Sequence, residues 1–161
     1  MIRLGTVFSG IGAIEQAFIR LNESHEIVFA CDNGERAIDI NYSEEFAKIK
    51  ALSSPIEKKL YVDNLYKVRS RQTNFVQQSY LANYNLDEDK FYQDVILFDG
   101  TDFNNQVDLF VGGSPCQSFS IAGSRGGLED TRGTLFYEYC RLVKEIQPKV
   151  FIYENVYGVL T

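Results

Sequence analysis

No stretch of this 161-residue chain holds the roughly 20 consecutive apolar residues that would carry a helix across a bilayer. Nor does a charged start followed by an apolar run mark a leader, because Met1 runs at once into strand-like sequence. The expected setting is therefore the cytoplasm, with no membrane partner. Histidine occurs once, at His25, and the three cysteines, Cys31, Cys116 and Cys140, are odd in number and form no C-x-x-C pair. A disulfide framework and a zinc site are both disfavoured, and no metal is expected. Internal repeats and low-complexity tracts are absent. The chain also lacks a basic excess: its formal charge of −6 argues against a protein that holds nucleic acid unaided, since that affinity comes mostly from neutralising phosphates. With 45% hydrophobic and 24% charged residues, one globular domain with one sizeable core remains.

Four apolar stretches read as strands: Ile2 to Phe8, Ile27 to Ala30, Val107 to Val111 and Val150 to Tyr153. Between the first two, Ala13, Ile14, Ala17, Phe18 and Leu21 recur at helical spacing and predict a helix with one face packed inward. A second helix is predicted from Gly133 to about Ile146, with Phe136, Tyr139, Cys140, Val143 and Ile146 on one side and Pro148 stopping it. Short apolar strands alternating with helices indicate an α/β fold with a parallel, doubly wound sheet. The segment at about 43–90 breaks this rhythm. It is polar, helical in parts, and carries Lys48, Lys50, Lys58, Lys59, Lys67, Arg69 and Arg71, so it reads as an insertion whose basic residues form a solvated helical face, with a DNA-backbone contact as the alternative.

Polar clusters follow each strand, where ligands bind in such sheets. Phe8-Ser9-Gly10-Ile11-Gly12 is a glycine turn leading into a helix, which lets a ligand approach the backbone and its free N–H groups. Asp32 lies about 20 residues on, where an acidic residue accepts hydrogen bonds from ribose hydroxyls. Glu15 stands where a dinucleotide fingerprint has its third glycine, so a ligand without phosphates is preferred. Pro115-Cys116-Gln117 sits in a turn rich in glycine and serine, a setting that favours a thiolate, whereas Cys31 and Cys140 read as small buried hydrophobes. Ile121 to Arg132 reads as a loop able to close over a substrate. Glu154 and Asn155 end the fourth strand, and burial beside apolar neighbours would keep the Glu154 carboxyl protonated.

Five elements occur in order: Phe8-Ser9-Gly10-Ile11-Gly12; the acidic Asp32; Gly112-Gly113-Ser114-Pro115-Cys116-Gln117-Ser118-Phe119-Ser120; Asp130-Thr131-Arg132-Gly133-Thr134-Leu135-Phe136; and Glu154-Asn155-Val156. Together they resemble the DNA (cytosine-5) methyltransferase family, over residues 1 to about 42 and about 92 to 161. The resemblance implies a Rossmann-like fold that uses S-adenosylmethionine, yields S-adenosylhomocysteine and acts on double-stranded DNA, in some relatives within a restriction-modification system. Phe8, Ser9, Gly10, Ile11 and Gly12 would line the cofactor pocket, with Asp32 on the ribose, Asn33, Asp94 and Val95 near the adenine, and Pro115 alongside. Cys116 would attack C6 of a flipped-out cytosine, Glu154 would contact its N3 and amino group, and Gln117 and Asn155 would complete the catalytic elements. Ser118, Ser120 and Arg132 would lie near the DNA.

Two positions depart from the family pattern. Thr6 stands where an acidic residue near the cofactor's amino group is common, and Asn33 where a bulkier side chain packs on the adenine. The family's later Gln-Arg-x-Arg element and its target-recognition region are not in residues 1–161, so the chain reads as a partial catalytic domain, a fragment or one subunit of a split enzyme with little activity alone. Its second polypeptide would carry the basic DNA-reading surface, and an apolar sheet edge after Tyr153 would be left exposed. A noncatalytic partner-binding subunit or degenerate relative is one alternative, and an NAD-dependent oxidoreductase, suggested by the glycine turn and Asp32, is another. The recognised DNA sequence is not written in this chain.

Overall fold

The computed structural model of the protein describes residues 1–115 and 134–155. Its elements run β1 (Ile2–Val7), α1 (Ala13–Arg20), β2 (His25–Cys31), α2 (Tyr42–Lys50), α3 (Pro55–Arg69), α4 (Phe75–Asn83), β3 (Phe91–Tyr92), β4 (Leu109–Gly112), α5 (Thr134–Ile146) and β5 (Val150–Tyr153). Two 3-10 turns lie at Glu88–Lys90 and Gly100–Phe103. All strand pairs are parallel, in the order β3-β2-β1-β4-β5. The strand order reverses between β2-β1 and β4, which opens a crevice beyond the carboxyl ends of β1 and β4. No helix among the described residues is long and apolar enough to cross a membrane.

Alternation along the strands assigns the two faces of the sheet. Val7, Phe29, Cys31, Phe110 and Tyr92 meet Tyr139, Leu142 and Ile146 of α5, and the Phe29 ring lies 4.8 Å from Phe98 and 4.7 Å from Phe103. On the opposite face Ala30 and Phe91 pack against Tyr80 and Tyr84 from α4 and its end. A third cluster joins α2 and α3 through Ile49, Val62 and Tyr66 to Ile38 and Leu97. Asp108 fastens the start of the sheet, its carboxylate accepting from the Arg3 guanidinium at 3.0 Å and lying 2.8 Å from Lys149 Nζ.

Several sequence expectations are corrected. The apolar residues of α1 do not form a buried face: Ile14 and Phe18 are half-buried, Ala13, Ala17 and Leu21 are exposed, and the buried side chain of the helix is Glu15. The inward contact of this eight-residue helix is polar, Glu15 accepting from the hydroxyls of Tyr80 and Thr6. The basic residues of the insertion form a solvated face only in part. Lys58 and Lys59 are buried, and Lys50 and Lys58 reach Asp99; Lys48, Lys50, Lys67, Arg69 and Arg71 are exposed. Cys31 is buried, and burial pushes its thiol well up, whereas Cys140 is exposed because α5 turns Tyr139 and Leu142 inward instead. The two-residue strand β3 was not legible, being too short to leave a pattern. At the edge strand β5, Val150, Phe151 and Ile152 are each half exposed or more.

Candidate functional site

Because every strand runs in the same direction, the polar clusters converge on one edge: Phe8–Gly12 after β1, Asp32–Gly34 after β2, Gln93 and Asp94 after β3, Gly113–Pro115 after β4, and Glu154 and Asn155 after β5. The β1 turn takes left-handed backbone at Phe8 (φ 53), Gly10 (φ 54) and Gly12 (φ 87). Ser9 stitches it to β2: its Oγ accepts from the Cys31 N–H at 3.0 Å, and its own N–H donates to the Cys31 carbonyl at 3.2 Å. Asp32 then joins two loops, one carboxylate oxygen accepting from the Gly10 N–H at 2.9 Å and the other from the Gly34 N–H at 2.8 Å. The Gly10 Cα faces open space, with nothing within 4 Å of where a Cβ would stand. Ile11 is exposed beside it.

Gly12 is glycine for another reason. A Cβ there would overlap the ring of Tyr84, whose hydroxyl donates to the Gly12 carbonyl at 2.5 Å. The Tyr84 side chain makes the close approach at this position.

Asn33 is turned back on its own loop, accepting from the Glu35 N–H and donating to the Arg36 carbonyl. Asp94 and Val95 are both buried. The Asp94 carboxylate accepts from Tyr66 Oη at 2.7 Å and from the Ile96 N–H at 2.9 Å. Burial pushes this carboxyl up against the pull of those hydrogen bonds, and the nearby Tyr42 hydroxyl is pushed up to about 12 by burial and by the Asp94 charge. Val95 belongs to the core between sheet and α5.

On the other side of the crevice, Asn155 Nδ2 donates to the Ser114 carbonyl at 3.1 Å and to Tyr153 Oη at 2.9 Å, and Ser114 Oγ is hydrogen bonded to the same tyrosine. The Glu154 N–H donates to the Gly112 carbonyl at 2.9 Å. These bonds bring the end of β5 against the turn after β4. Any Cβ on Gly113 would stand 2.9 Å from Glu154 Oε2. Pro115 is exposed beside this contact, and Glu154 is exposed too, so the burial expected to protonate its carboxyl is not met. Cys116, Gln117, Ser118, Ser120, Arg132 and the Ile121–Arg132 loop lie outside the described residues. Asn155→Ala is expected to lower stability by about 1 kcal/mol, the scale of a part-buried hydrogen-bonding group, in urea unfolding; no change would show that the Ser114 turn is held by other means.

Sequence reasoning missed a second layer. Glu15 Oε1 accepts from Tyr80 Oη at 2.6 Å and from Thr6 Oγ1 at 3.0 Å, while its Oε2 has no partner. Asn74 Nδ2 donates to the Asp32 carbonyl at 2.9 Å and to Gln93 Oε1 at 3.0 Å. Nothing in the local sequence around Asn74 and Tyr80 announces either contact. Among the described residues no group of three or more histidine, cysteine or carboxylate side chains is arranged to hold a metal.

Comparison with known proteins gives these arrangements a context. The family model described as C-5 cytosine-specific DNA methylase matches residues 40–161, and so runs through the 43–90 segment as well as the later motifs. The orphan methyltransferase M.SPRI of Bacillus phage SPR is 36% identical over 159 residues, covering 99% of this chain and 27% of the phage protein. The type II methyltransferase M.HpaII of Haemophilus parainfluenzae is 45% identical over 84 residues, covering 52% of this chain and 23% of that protein. Among solved structures, the Dnmt2 methyltransferase of S. pombe superposes with a TM-score of 0.52 at 20% identity, over 98% of this chain and 37% of that one, a likeness of fold. The chain thus spans about a quarter of the length of the curated relatives it matches.

Proposed function

Because the chain belongs to the C-5 cytosine-specific DNA methylase family, we propose that it forms the cofactor-binding and nucleophile-bearing part of an enzyme that methylates C5 of cytosine in double-stranded DNA. The observation that carries this reading is the fastening of Ser114 to Asn155, which sets the Glu154 carboxylate beside the turn leading to Pro115 and Cys116. A nicotinamide-dependent oxidoreductase has no use for that pairing.

The residues fit S-adenosylmethionine as cofactor. Asp32 keeps unused lone pairs on both carboxylate oxygens for ribose hydroxyls, the Gly10 backbone faces open space, and the buried Glu15 carboxylate at the third-glycine position is hostile to phosphate and compatible with a cation. Phe8, Ser9, Gly10, Ile11, Gly12 and Asp32 would hold this cofactor, with Asn33, Asp94, Val95 and Pro115 around it. When bound, it supplies an electrophilic methyl group on a sulfonium.

The chain's own residues prepare the cytosine. C5 of cytosine is a weak nucleophile, and addition of the Cys116 thiolate at C6 makes it enamine-like. Glu154 stabilises the charge that develops in the ring by hydrogen bonding or proton donation at N3. Once C5 is methylated, loss of its proton and expulsion of Cys116 restore the aromatic ring. Asn155 holds the Ser114 turn, Gln117 is assigned to the catalytic elements by the family pattern, and Ser118, Ser120 and Arg132 are assigned by it to the DNA backbone and the flipped base. C6 is inaccessible inside a duplex, so the base must be flipped out at a cost of about a few kcal/mol. DNA-sequence readout is assigned to a region beyond the part of the relatives that this chain spans, on the same or a second polypeptide.

Calorimetric titration with S-adenosylhomocysteine, and separately with NAD, tests the cofactor assignment. Binding of the first alone is expected, weakened at least about tenfold in Asp32→Ala, which removes hydrogen bonds to a charged group. Preference for NAD, or binding of neither, would overturn it.

A further inference from the structure

We propose that α4, inside the segment that reads as an insertion, is a clamp on the cofactor loops, with its two ends, Asn74 and Tyr84, acting as positioning residues for cofactor binding. The inference rests on the S-adenosylmethionine reading above and adds to it residues that none of the five motifs contains.

The two ends of α4 grip two different loops. At the amino end, Asn74 caps the helix by accepting from the Gln77 N–H at 3.0 Å, and with its Nδ2 it donates to the Asp32 carbonyl. At the carboxyl end, Tyr84 donates to the Gly12 carbonyl and lays its ring against the Gly12 backbone. Midway, Tyr80 donates to Glu15 in the first turn of α1. Tyr80 is fully buried, and Asn74 and Tyr84 nearly so.

Those loops need an external hold. The glycine turn passes through left-handed backbone at Phe8, a residue without glycine's freedom, at a cost of about 1–2 kcal/mol. Beyond the Ser9 contacts with Cys31, the bond from the Gly10 N–H to Asp32 is what joins this turn to the β2 loop. The orientation of Asp32 in turn depends on its backbone, which Asn74 holds. A displacement of either loop therefore reaches both the turn and the carboxylate assigned to the ribose. Gln93 extends the same network, accepting from Asn74 and from Arg36, whose guanidinium lies over the Tyr66 ring of α3.

The test uses two minimal variants of the whole chain. Tyr84→Phe removes one hydroxyl, and Asn74→Asp keeps the acceptor that caps α4 while removing the donor to the Asp32 carbonyl and to Gln93 Oε1. Each is expected to weaken S-adenosylhomocysteine binding about tenfold, the scale of one positioned hydrogen bond. Amide exchange read by NMR should quicken at Gly10 and Gly34 while Ala30 in the middle of the sheet keeps its protection. Wild-type affinity in both variants would overturn the clamp and leave the cofactor assignment standing. So would equal loss of protection at Gly10 and Ala30, which is the mark of general destabilisation. If the unaltered chain binds no S-adenosylhomocysteine, the cofactor reading fails first, and the clamp falls with it.

Discussion

Asp99→Ala is expected to remove about 3–5 kcal/mol of folding stability, the range for breaking a buried ion pair from one side. The Asp99 side chain is 2% exposed and accepts from Lys50 Nζ at 2.6 Å and Lys58 Nζ at 2.8 Å, joining α2 and α3 to the loop before the 3-10 turn at Gly100–Phe103. Its loss strands a lysine 11% exposed that keeps Asp102 as its remaining partner at 2.7 Å. Against a total stability of about 5–15 kcal/mol, that loss is large. Urea unfolding at neutral pH measures it, and a change below about 1 kcal/mol, the scale of a surface pair, would show that the lysines find water instead.

The same pair makes stability depend on acid. Burial pushes the Asp99 carboxyl up, but hydrogen bonds from Lys50, Lys58 and Thr101 outweigh it and hold the group well below the usual carboxylate range. A depressed folded pKa contributes stability in full above the unfolded value of about 3.9, and that contribution drains as pH falls toward the folded value. The gap in stability between the unaltered protein and Asp99→Ala is therefore expected to narrow below about pH 4. A gap that stays constant down to about pH 2 would mean that another group carries the effect.

Gly12→Ala is the second large loss. Left-handed backbone at φ 87 disfavours alanine by about 1–2 kcal/mol, and displacing the buried Tyr84 ring adds about 1–3 kcal/mol of overpacking. Binding of S-adenosylhomocysteine should fall below detection, since turn and clamp move together. The cause can be isolated by repeating the substitution in a Tyr84→Ala background, where the overpacking part should vanish and the cost drop by at least about 1 kcal/mol. An equal cost in both backgrounds would show that Tyr84 is not the obstacle.

Much of the site is legible in the sequence. Asp32, Pro115, Glu154 and Asn155 stand out because each follows an apolar run, and a parallel sheet places the residues after such runs on one edge. The companions of these residues are not legible. Asn74 reaches Asp32 across 42 positions, Tyr80 reaches Glu15 across 65, and Tyr84 reaches Gly12 across 72. The polar composition around Lys58 suggests solvent, and the pairing with Asp99 across 41 positions reverses it.

The sequence by itself determined four of the five strands, their alternation with helices and the motifs at their ends, because apolar periodicity and turn chemistry act over a few neighbouring residues. Tertiary structure alone decided which polar residues are buried. That choice rests on partners brought together across the chain: burying Glu15, Lys58 or Asp99 costs free energy that only a hydrogen-bonded or charged neighbour offsets, and the fold is what selects the neighbour.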